Sequence, residues 1–370
     1  MGMSVGAQER AEAGAGVPQV GWGIIGTGTI AEHFAQDITH VPGAFLAAVA
    51  SRSPDRAAAF VARHGGHPCR DVAALVQDPA VQAVYVASPN ATHYAMAQAV
   101  LAGGKGVLVE KPLVNTVDDA KHLSALAVQH GTFCMEGLWS RFLPVMDFVK
   151  NKIQSGSIGT IKRIRADLAF VHPYDPASRF YDPAQGGGSL LDLGVYLVSL
   201  SLLLLGHPDR VRGRWWVAPS GVDKAADMVL GFGAGEAHLA CGFGRDGTNL
   251  FGIEGTKGTL VVQPHCISSR QVLAWGRLPA LGVALLPLGS DPLRLFSKVA
   301  KRLWLPGVRR YDCGFDGYGL QFEIAAASQA VAEGRGACPV MPLADSVETL
   351  RILEQVRAQP PVVPSRGRAS

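Results

Sequence analysis

The sequence predicts the α/β class: an N-terminal domain wound around a parallel sheet, then an α+β domain with a large, mostly antiparallel open sheet. Three observations carry this. From Val20 to about residue 136, short apolar segments without strict alternation each precede a helical pattern, as expected when helices cover both faces of a parallel sheet. The first apolar segment runs straight into Gly-Thr-Gly-Thr-Ile-Ala at 26–31. Beyond Trp139 strand candidates follow one another closely, a pattern suited to an antiparallel sheet with one face covered. A chain of 370 residues is comfortable for two domains.

In chain order, Val20–Ile25 reads as strand, Thr29–Asp37 as helix, Ala44–Ala50 as strand and Pro54–His64 as helix. A short element near Pro68 precedes a helix around Val72–Gln77. Strand 83–87, helix 91–102, strand 106–109, helix Val117–His130 and strand 133–136 complete the first domain, assigned to 18–138. The second domain, 139–357, opens with strand Ile161–Ala169 and has further strands at 211–217, 227–232, 236–242, 248–254 and Gly258–Val262. Residues 190–205 form a covering helix between its first two strands, and a closing helix lies at 343–356. Segment 280–310 has no clear period and reads as a long loop with one helix near 292–302. Residues 1–17, rich in Ala, Gly and Glu, read as a disordered arm without a signal-peptide pattern, and 358–370 as a flexible tail.

Composition narrows the function. The chain is 48% hydrophobic and 17% charged with a formal charge of +4, ordinary for a soluble globular protein. No basic stripe or aromatic-interleaved Lys/Arg patch points to nucleic acid. The apolar stretch 190–205 contains Asp192 and is too short for a membrane span, so it reads as a core helix. The six cysteines stand alone, with no CxxC, which suggests reduced thiols in a cytoplasmic protein. The scattered His, Asp and Cys residues offer no evident ligand set, and no metal is expected.

The turn at 26–31 suits a dinucleotide. Gly26 permits the tight turn after the strand, Gly28 lets the backbone approach a pyrophosphate, and the following helix offers its N-terminal amides. Thr27, Thr29 and Ile30 complete that loop, while Ala31 allows close packing of helix on strand. This is the Rossmann arrangement. The second strand ends in Ala50-Ser51-Arg52-Ser53 with no carboxylate at its tip. Arg52 can pair with a ribose 2′-phosphate and Ser51 can add a hydroxyl, which predicts NADP in preference to NAD. The same residues also suit a solvated arginine beside a serine helix cap before Pro54, and Asp55 could turn back toward the ribose. Farther on, Ser88-Pro89-Asn90-Ala91-Thr92-His93 follows the fourth strand at the sheet edge where ligands bind. Asn90 can cap the next helix or meet the nicotinamide ribose, and His93 can face the site or serve a capping role. The fifth strand ends in Glu110-Lys111-Pro112, whose Lys111 can hydrogen-bond a substrate oxygen or remain an exposed loop lysine.

In the second domain, Gly186-Gly187-Gly188-Ser189 leads into a helix bearing Asp192 and Tyr196, four residues apart and so on one helical face. An acid and a phenol in so apolar a helix imply a structural network or an acid/base pair.

The Glu110-Lys111-Pro112 motif, the glycine-rich stretch and Asp192 together resemble the glucose–fructose oxidoreductase / inositol dehydrogenase / rhizopine-catabolism family over about residues 18–357. The resemblance implies that Lys111 and Asp192 surround the reacting carbon. Tyr196 stands where many members have histidine. With Glu136-Gly137-Leu138-Trp139-Ser140-Arg141-Phe142 and Ser178-Arg179-Phe180-Tyr181-Asp182-Pro183, it is similar to the dimeric dihydrodiol dehydrogenase / D-xylose dehydrogenase branch. That branch implies tyrosine as acid/base, NADP as cofactor, and a homodimer formed through the second-domain sheet. It also implies hydride transfer at a secondary alcohol or ketone of a sugar, cyclic polyol or dihydrodiol. Trp139, Arg141, Phe170, His172, Arg179 and Phe180 are candidates for the substrate side. A sugar or sugar-nucleotide ketoreductase of secondary metabolism, and a non-catalytic regulatory protein that senses a ligand on the same fold, are the alternatives.

Overall fold

The computed structural model describes residues 19–276 and 307–362. The predicted arm, the tail from residue 363, and the helix expected near 292–302 lie outside them. The chain divides into two compact units. The first comprises the chain to Leu113, Lys121–Gly137 and Gly317–Leu343; the second comprises Val114–Ala120, Leu138–Asp316 and the chain from Ala344.

The first unit is a six-stranded, wholly parallel sheet. Its strands are β1 (Val20–Ile25), β2 (Ala44–Ala50), β3 (His67–Cys69), β4 (Ala83–Val86), β5 (Gly106–Glu110) and β6 (Cys134–Gly137), in the spatial order β3-β2-β1-β4-β5-β6. Every residue of β1, β4, β5 and β6 is buried, which explains their continuous apolar sequences. The helices in this part of the chain are α1 (Thr29–Asp37), α2 (Pro54–His64), α3 (Val72–Gln77), α4 (His93–Ala102) and α5 (Val117–His130).

One segment departs from the sequence reading, which ran the second domain unbroken from 139 to 357. Residues 317–343 return to the first unit, where α8 (Gln321–Ala332) lies on β1 and β2. The return is anchored by the buried Asp37, whose carboxylate accepts the amides of Tyr318 (2.9 Å), Gly319 (2.8 Å) and Leu320 (2.8 Å). The Trp22 indole N–H adds a bond to Ser328 Oγ at 3.0 Å. An Ala-rich helix with little polar face carries no amphipathic signal, so α8 was not legible from periodicity.

The second unit holds an eight-stranded sheet in the order β14-β13-β12-β11-β7-β10-β9-β8. Its strands are β7 (Ile161–Ala169), β8 (Arg210–Val217), β9 (Asp223–Phe232), β10 (Gly235–Gly242), β11 (Phe251–Gly255), β12 (Gly258–Val262), β13 (Gln271–Gly276) and β14 (Val308–Asp312). All neighbours pair antiparallel except β7 and β10, which run parallel. β13 has no counterpart among the strands expected from the sequence, and β14 begins within the segment expected as loop. α6 (Pro144–Gln154) likewise has no counterpart among the expected helices. The predicted helix 190–205 is a π turn, Leu190–Gly194, followed by α7 (Val195–Leu205). By length and apolarity Pro183–Leu205 would suffice to cross a membrane, yet 78% of its most apolar window is buried within the protein. Its place on β7 and β10 makes it the covering helix expected. The closing helix is α9 (Leu343–Arg357).

Strand register defines the sheet's other face. Ile164, Ala166 and Leu168 of β7 are buried, whereas Arg163 and Arg165 alternate with them and align with Glu236 and His238 of β10. The same row continues through Glu254 on one side and Val229 and Arg212 on the other. This face mixes charged with apolar groups: Arg163–Glu236 (3.3 Å) and Arg214–Asp227 (2.8 Å) pairs lace one part, while Val261, Leu273 and Trp275 continue the same rows on β12 and β13.

Candidate active site

In the first unit the C-terminal ends of the strands gather the residues read as cofactor-binding. Gly26 has φ +112°, and a Cβ there would lie 2.5 Å from the Ala87 carbonyl oxygen, so the tight turn requires glycine. Gly28 is the N-cap of α1; it has no side-chain cap, and the space a Cβ would enter is open to 4 Å. Exposed Thr29 and half-buried Thr27 and Ile30 flank the uncapped amides, and Ala31 is fully buried against the sheet. An open cradle at an uncapped helix start fits a pyrophosphate. At the β2 tip Ser51 Oγ accepts the Ser53 amide at 3.3 Å, and Ser53 caps α2 by accepting the Arg56 amide. Arg52 is exposed. Arg56, which the sequence reading passed over, reaches Thr27 O with Nη2 at 3.3 Å. Its spacing of four residues from Arg52 was the available signal.

At the β4 tip Ser88 Oγ accepts the Thr92 hydroxyl at 2.8 Å, and Asn90 begins a short 3₁₀ turn. His93 does not behave as a site residue. It is fully buried, with Nδ1 2.8 Å from Pro112 O and Nε2 2.9 Å from Ser88 O. The ring ties together two loops that a sequence pattern cannot show to be adjacent, and neither nitrogen is left for a ligand. Glu110 is buried in the same unit. Its carboxylate receives the Tyr85 phenol and the Lys111 amide (3.1 Å), so it holds the backbone from which Lys111 projects. Burial pushes the Glu110 carboxyl up to about 7, against the lowering effect of Tyr85 and Lys111. Glu136 accepts the Leu113 amide at 2.9 Å, fixing the other side of the Lys111–Pro112 turn.

In the second unit the π turn carries Asp192, and Tyr196 stands in the first turn of α7; both are buried. The wider turn means their spacing of four is not the simple stacked pair of a regular α-helix. The Trp139 indole N–H donates to the Tyr196 phenol oxygen at 3.2 Å. Asp192 Oδ1 lies 3.7 Å from the Arg179 guanidinium, which sits 4.2 Å from the centre of the Phe180 ring. Phe180 stacks on His172 at 4.2 Å, and the Tyr181 phenol donates to His172 O at 2.6 Å. Phe243, absent from the sequence candidates, meets the Phe180 and His172 rings edge-on. Phe170 lies apart, 5.4 Å from the His265 ring.

Arg141, expected on the substrate side, is engaged in the framework of the second unit. Fully buried, it donates to Ser199 Oγ and Ser199 O, each at 2.7 Å, and pairs with Asp345 at 2.7 Å. It joins α7 to the first turn of α9 rather than lining a substrate space. Burying a charge is tolerable only with such full pairing, and the partners come from distant sequence.

Residues 20–138 match the oxidoreductase family with an NAD-binding Rossmann fold, and residues 146–261 match the GFO/IDH/MocA C-terminal domain. The chain belongs to this oxidoreductase family. Among its relatives, trans-1,2-dihydrobenzene-1,2-diol dehydrogenase of Homo sapiens is 28% identical over 346 residues, covering 91% of this chain and 95% of that protein. The Xenopus laevis counterpart is 28% identical over 344 residues, covering 91% and 97%. In fold, the chain is similar to KijD10, a 3-ketoreductase from Actinomadura kijaniata in complex with NADP and TDP-benzene. That match has a TM-score of 0.75 and 24% identity, with 94% of this chain and 100% of that chain covered. The aldose-aldose oxidoreductase from Caulobacter crescentus, complexed with glycerol, gives a TM-score of 0.74 and 22% identity, covering 92% and 97%.

Glu110 generates a pH prediction. Its carboxyl holds a proton more tightly in the folded unit than in the unfolded chain, where the ordinary value is 4.5. Its contribution to stability is therefore full below about pH 4.5 and is lost as pH rises to about 7, a change on the order of 3 kcal/mol. Glu110→Gln keeps the shape and removes this loss. Denaturant unfolding across that range should show the variant gaining stability relative to wild type as pH rises; a constant difference would refute the assignment.

Proposed function

We propose that this oxidoreductase is NADP-dependent and moves hydride at a secondary alcohol or ketone of a dihydrodiol, sugar or cyclic polyol. The observation that carries the reading is Tyr196, a buried phenol whose oxygen is oriented by the Trp139 indole, at the position where the family resemblance implies the acid/base group. The nicotinamide, when bound, donates or accepts the hydride. Tyr196 takes the hydroxyl proton during oxidation and returns it during reduction. Lys111, held at its backbone by Glu110, is the residue that the family resemblance implies as hydrogen-bonding the reacting oxygen. Asp192, beside Arg179, orients a substrate hydroxyl. The dihydrodiol dehydrogenase relatives, matched over nearly their full length, support dihydrodiols as the first substrates to test; the sugar-nucleotide alternative remains in the same screen.

Support for NADP comes from exposed Arg52 at the β2 tip, from Arg56 at the Thr27 carbonyl, and from the missing acidic residue there. A charge-assisted contact to the 2′-phosphate is worth about 1.5–3 kcal/mol. Arg52→Ala should therefore weaken NADP binding roughly ten- to hundred-fold and leave NAD binding nearly unchanged, read as Kd for both cofactors. Tighter NAD than NADP binding by the wild type would defeat the preference.

Tyr196→Phe should keep the fold and cofactor affinity while lowering turnover by about 10²–10⁴. Lys111→Ala should also lower it, and the double variant should lose less than the sum of the two penalties. A screen of dihydrodiols, sugars, polyols and sugar nucleotides, followed by nicotinamide absorbance, supplies the substrate. Wild-type turnover in Tyr196→Phe with chemistry rate-limiting would exclude the phenol.

We further propose a homodimer formed by the uncovered face of the second-unit sheet. Its mixed charges, with Arg163 set between Glu236 and Glu254, offer a self-complementary surface. Light scattering should give twice the chain mass at micromolar concentration, decreasing with salt. A salt-independent single-chain mass would rule the dimer out.

A further inference from the structure

The sequence reading expected no metal, yet three donor side chains converge at the edge of the first unit's sheet. Strand β3 is the outermost strand. His67 and Cys69 are two residues apart on it and so project from the same face. The chain then passes through α3, and Asp78 follows as its C-cap. One ligand atom from each of His67, Cys69 and Asp78 lies within 4.8 Å of the others. His67 Nε2 is 2.6 Å from Asp78 Oδ2. The second Asp78 oxygen accepts the Ala80 amide at 2.8 Å, and Lys105 Nζ donates to the carbonyls of Asp78 (3.1 Å) and Val81 (2.7 Å). The carboxylate is thus already oriented by an outer partner, the arrangement that steadies metal ligands.

We propose that His67, Cys69 and Asp78 bind one divalent transition ion of the zinc class, with water in the fourth position. Three points support this cation over others. Nitrogen, sulfur and oxygen donors together suit a borderline-soft ion, whereas magnesium and calcium require oxygen shells. Thiolate, carboxylate and neutral imidazole supply two negative charges, which balance a divalent ion. Tetrahedral bonds of about 2.0–2.3 Å place ligand atoms roughly 3–4 Å apart, a small contraction for the sulfur and a small opening of the His67–Asp78 pair. The imidazole can make that movement because 52% of its side chain is exposed. Binding exchanges the thiol S–H for a sulfur–metal bond and releases the proton to solvent. The bound ion would join β3, an edge strand of only three residues, to the segment after α3.

The test uses the full chain, stripped with chelator and titrated with Co²⁺ alone. Expected is one equivalent bound with the visible bands of tetrahedral cobalt and a thiolate-to-cobalt charge-transfer band, both displaced by Zn²⁺. Cys69→Ser should abolish the charge-transfer band, while His67→Gln and Asp78→Asn should weaken binding by an order of magnitude or more. Cys313→Ser, altering the other incompletely buried thiol, should change nothing. Zn²⁺ should raise the Tm of wild type but not of Cys69→Ser. Absence of the band with Co²⁺ in excess, its persistence in Cys69→Ser, or an octahedral spectrum would overturn the proposal.

Discussion

The carboxylate of Asp223, wholly buried at the start of β9, receives the Leu190 amide at 2.6 Å and the Ser189 hydroxyl at 3.0 Å, fastening the entry of the π turn to the sheet. Gly188 lies so close, at φ +123°, that a Cβ would stand 2.6 Å from Asp223 Oδ1. Burial pushes the Asp223 carboxyl up to about 6, with Leu190, Arg357 and Ser189 acting in the opposite direction. The Arg357 guanidinium, 3.4 Å away, offsets part of the cost of the buried charge. Asp192 and Tyr196 follow within seven residues of Ser189, so their placement depends on this junction. The glycine-rich stretch therefore serves a buried carboxylate first, and any closeness to a ligand second.

The first unit solves a similar problem at the end of β5. Glu110 and Glu136 grip the two sides of the Lys111–Pro112 turn through its backbone amides. Behind them Glu323 of α8 is fully buried and its carboxyl is pushed well above the usual range, by desolvation first and then by Glu110, Asp37 and Glu136. Burial without a compensating partner and the neighbouring acids together disfavour the charged form of Glu323. The backbone of Lys111 is thus positioned by a buried carboxylate. This arrangement gives the Glu-Lys-Pro motif a physical sense: the glutamate holds the strand end and the backbone of the lysine that follows it.

The charged and polar residues near the strand ends divide between buried framework and exposed surface. Arg141 and His93 looked like site residues because polar groups near strand ends and domain junctions usually are. Each is instead fully buried and satisfied by partners within its own unit. Arg52 is exposed at a strand tip, and Arg179 is exposed beside the buried Asp192. A buried cation such as Arg141 has its hydrogen-bonding capacity used by its neighbours, which is what makes its burial tolerable.

The amino-acid sequence by itself determined the elements whose pattern is local. β1 and β2, α1 and α2, and the turn at Gly26 follow from apolar runs, helix caps and glycine, each set by neighbours a few residues away. It also displayed Lys111, Asp192 and Tyr196 through motif and family resemblance. Only the tertiary structure decided the rest. The return of α8 to β1 and β2, the parallel pairing of β7 with β10, and the engagement of His93 and Arg141 depend on partners far away in the chain. The meeting of His67 and Cys69 with Asp78 depends likewise on the path through α3. Periodicity reports which side of an element is apolar; it does not report which distant backbone carbonyl or carboxylate will fill the space opposite a buried polar group.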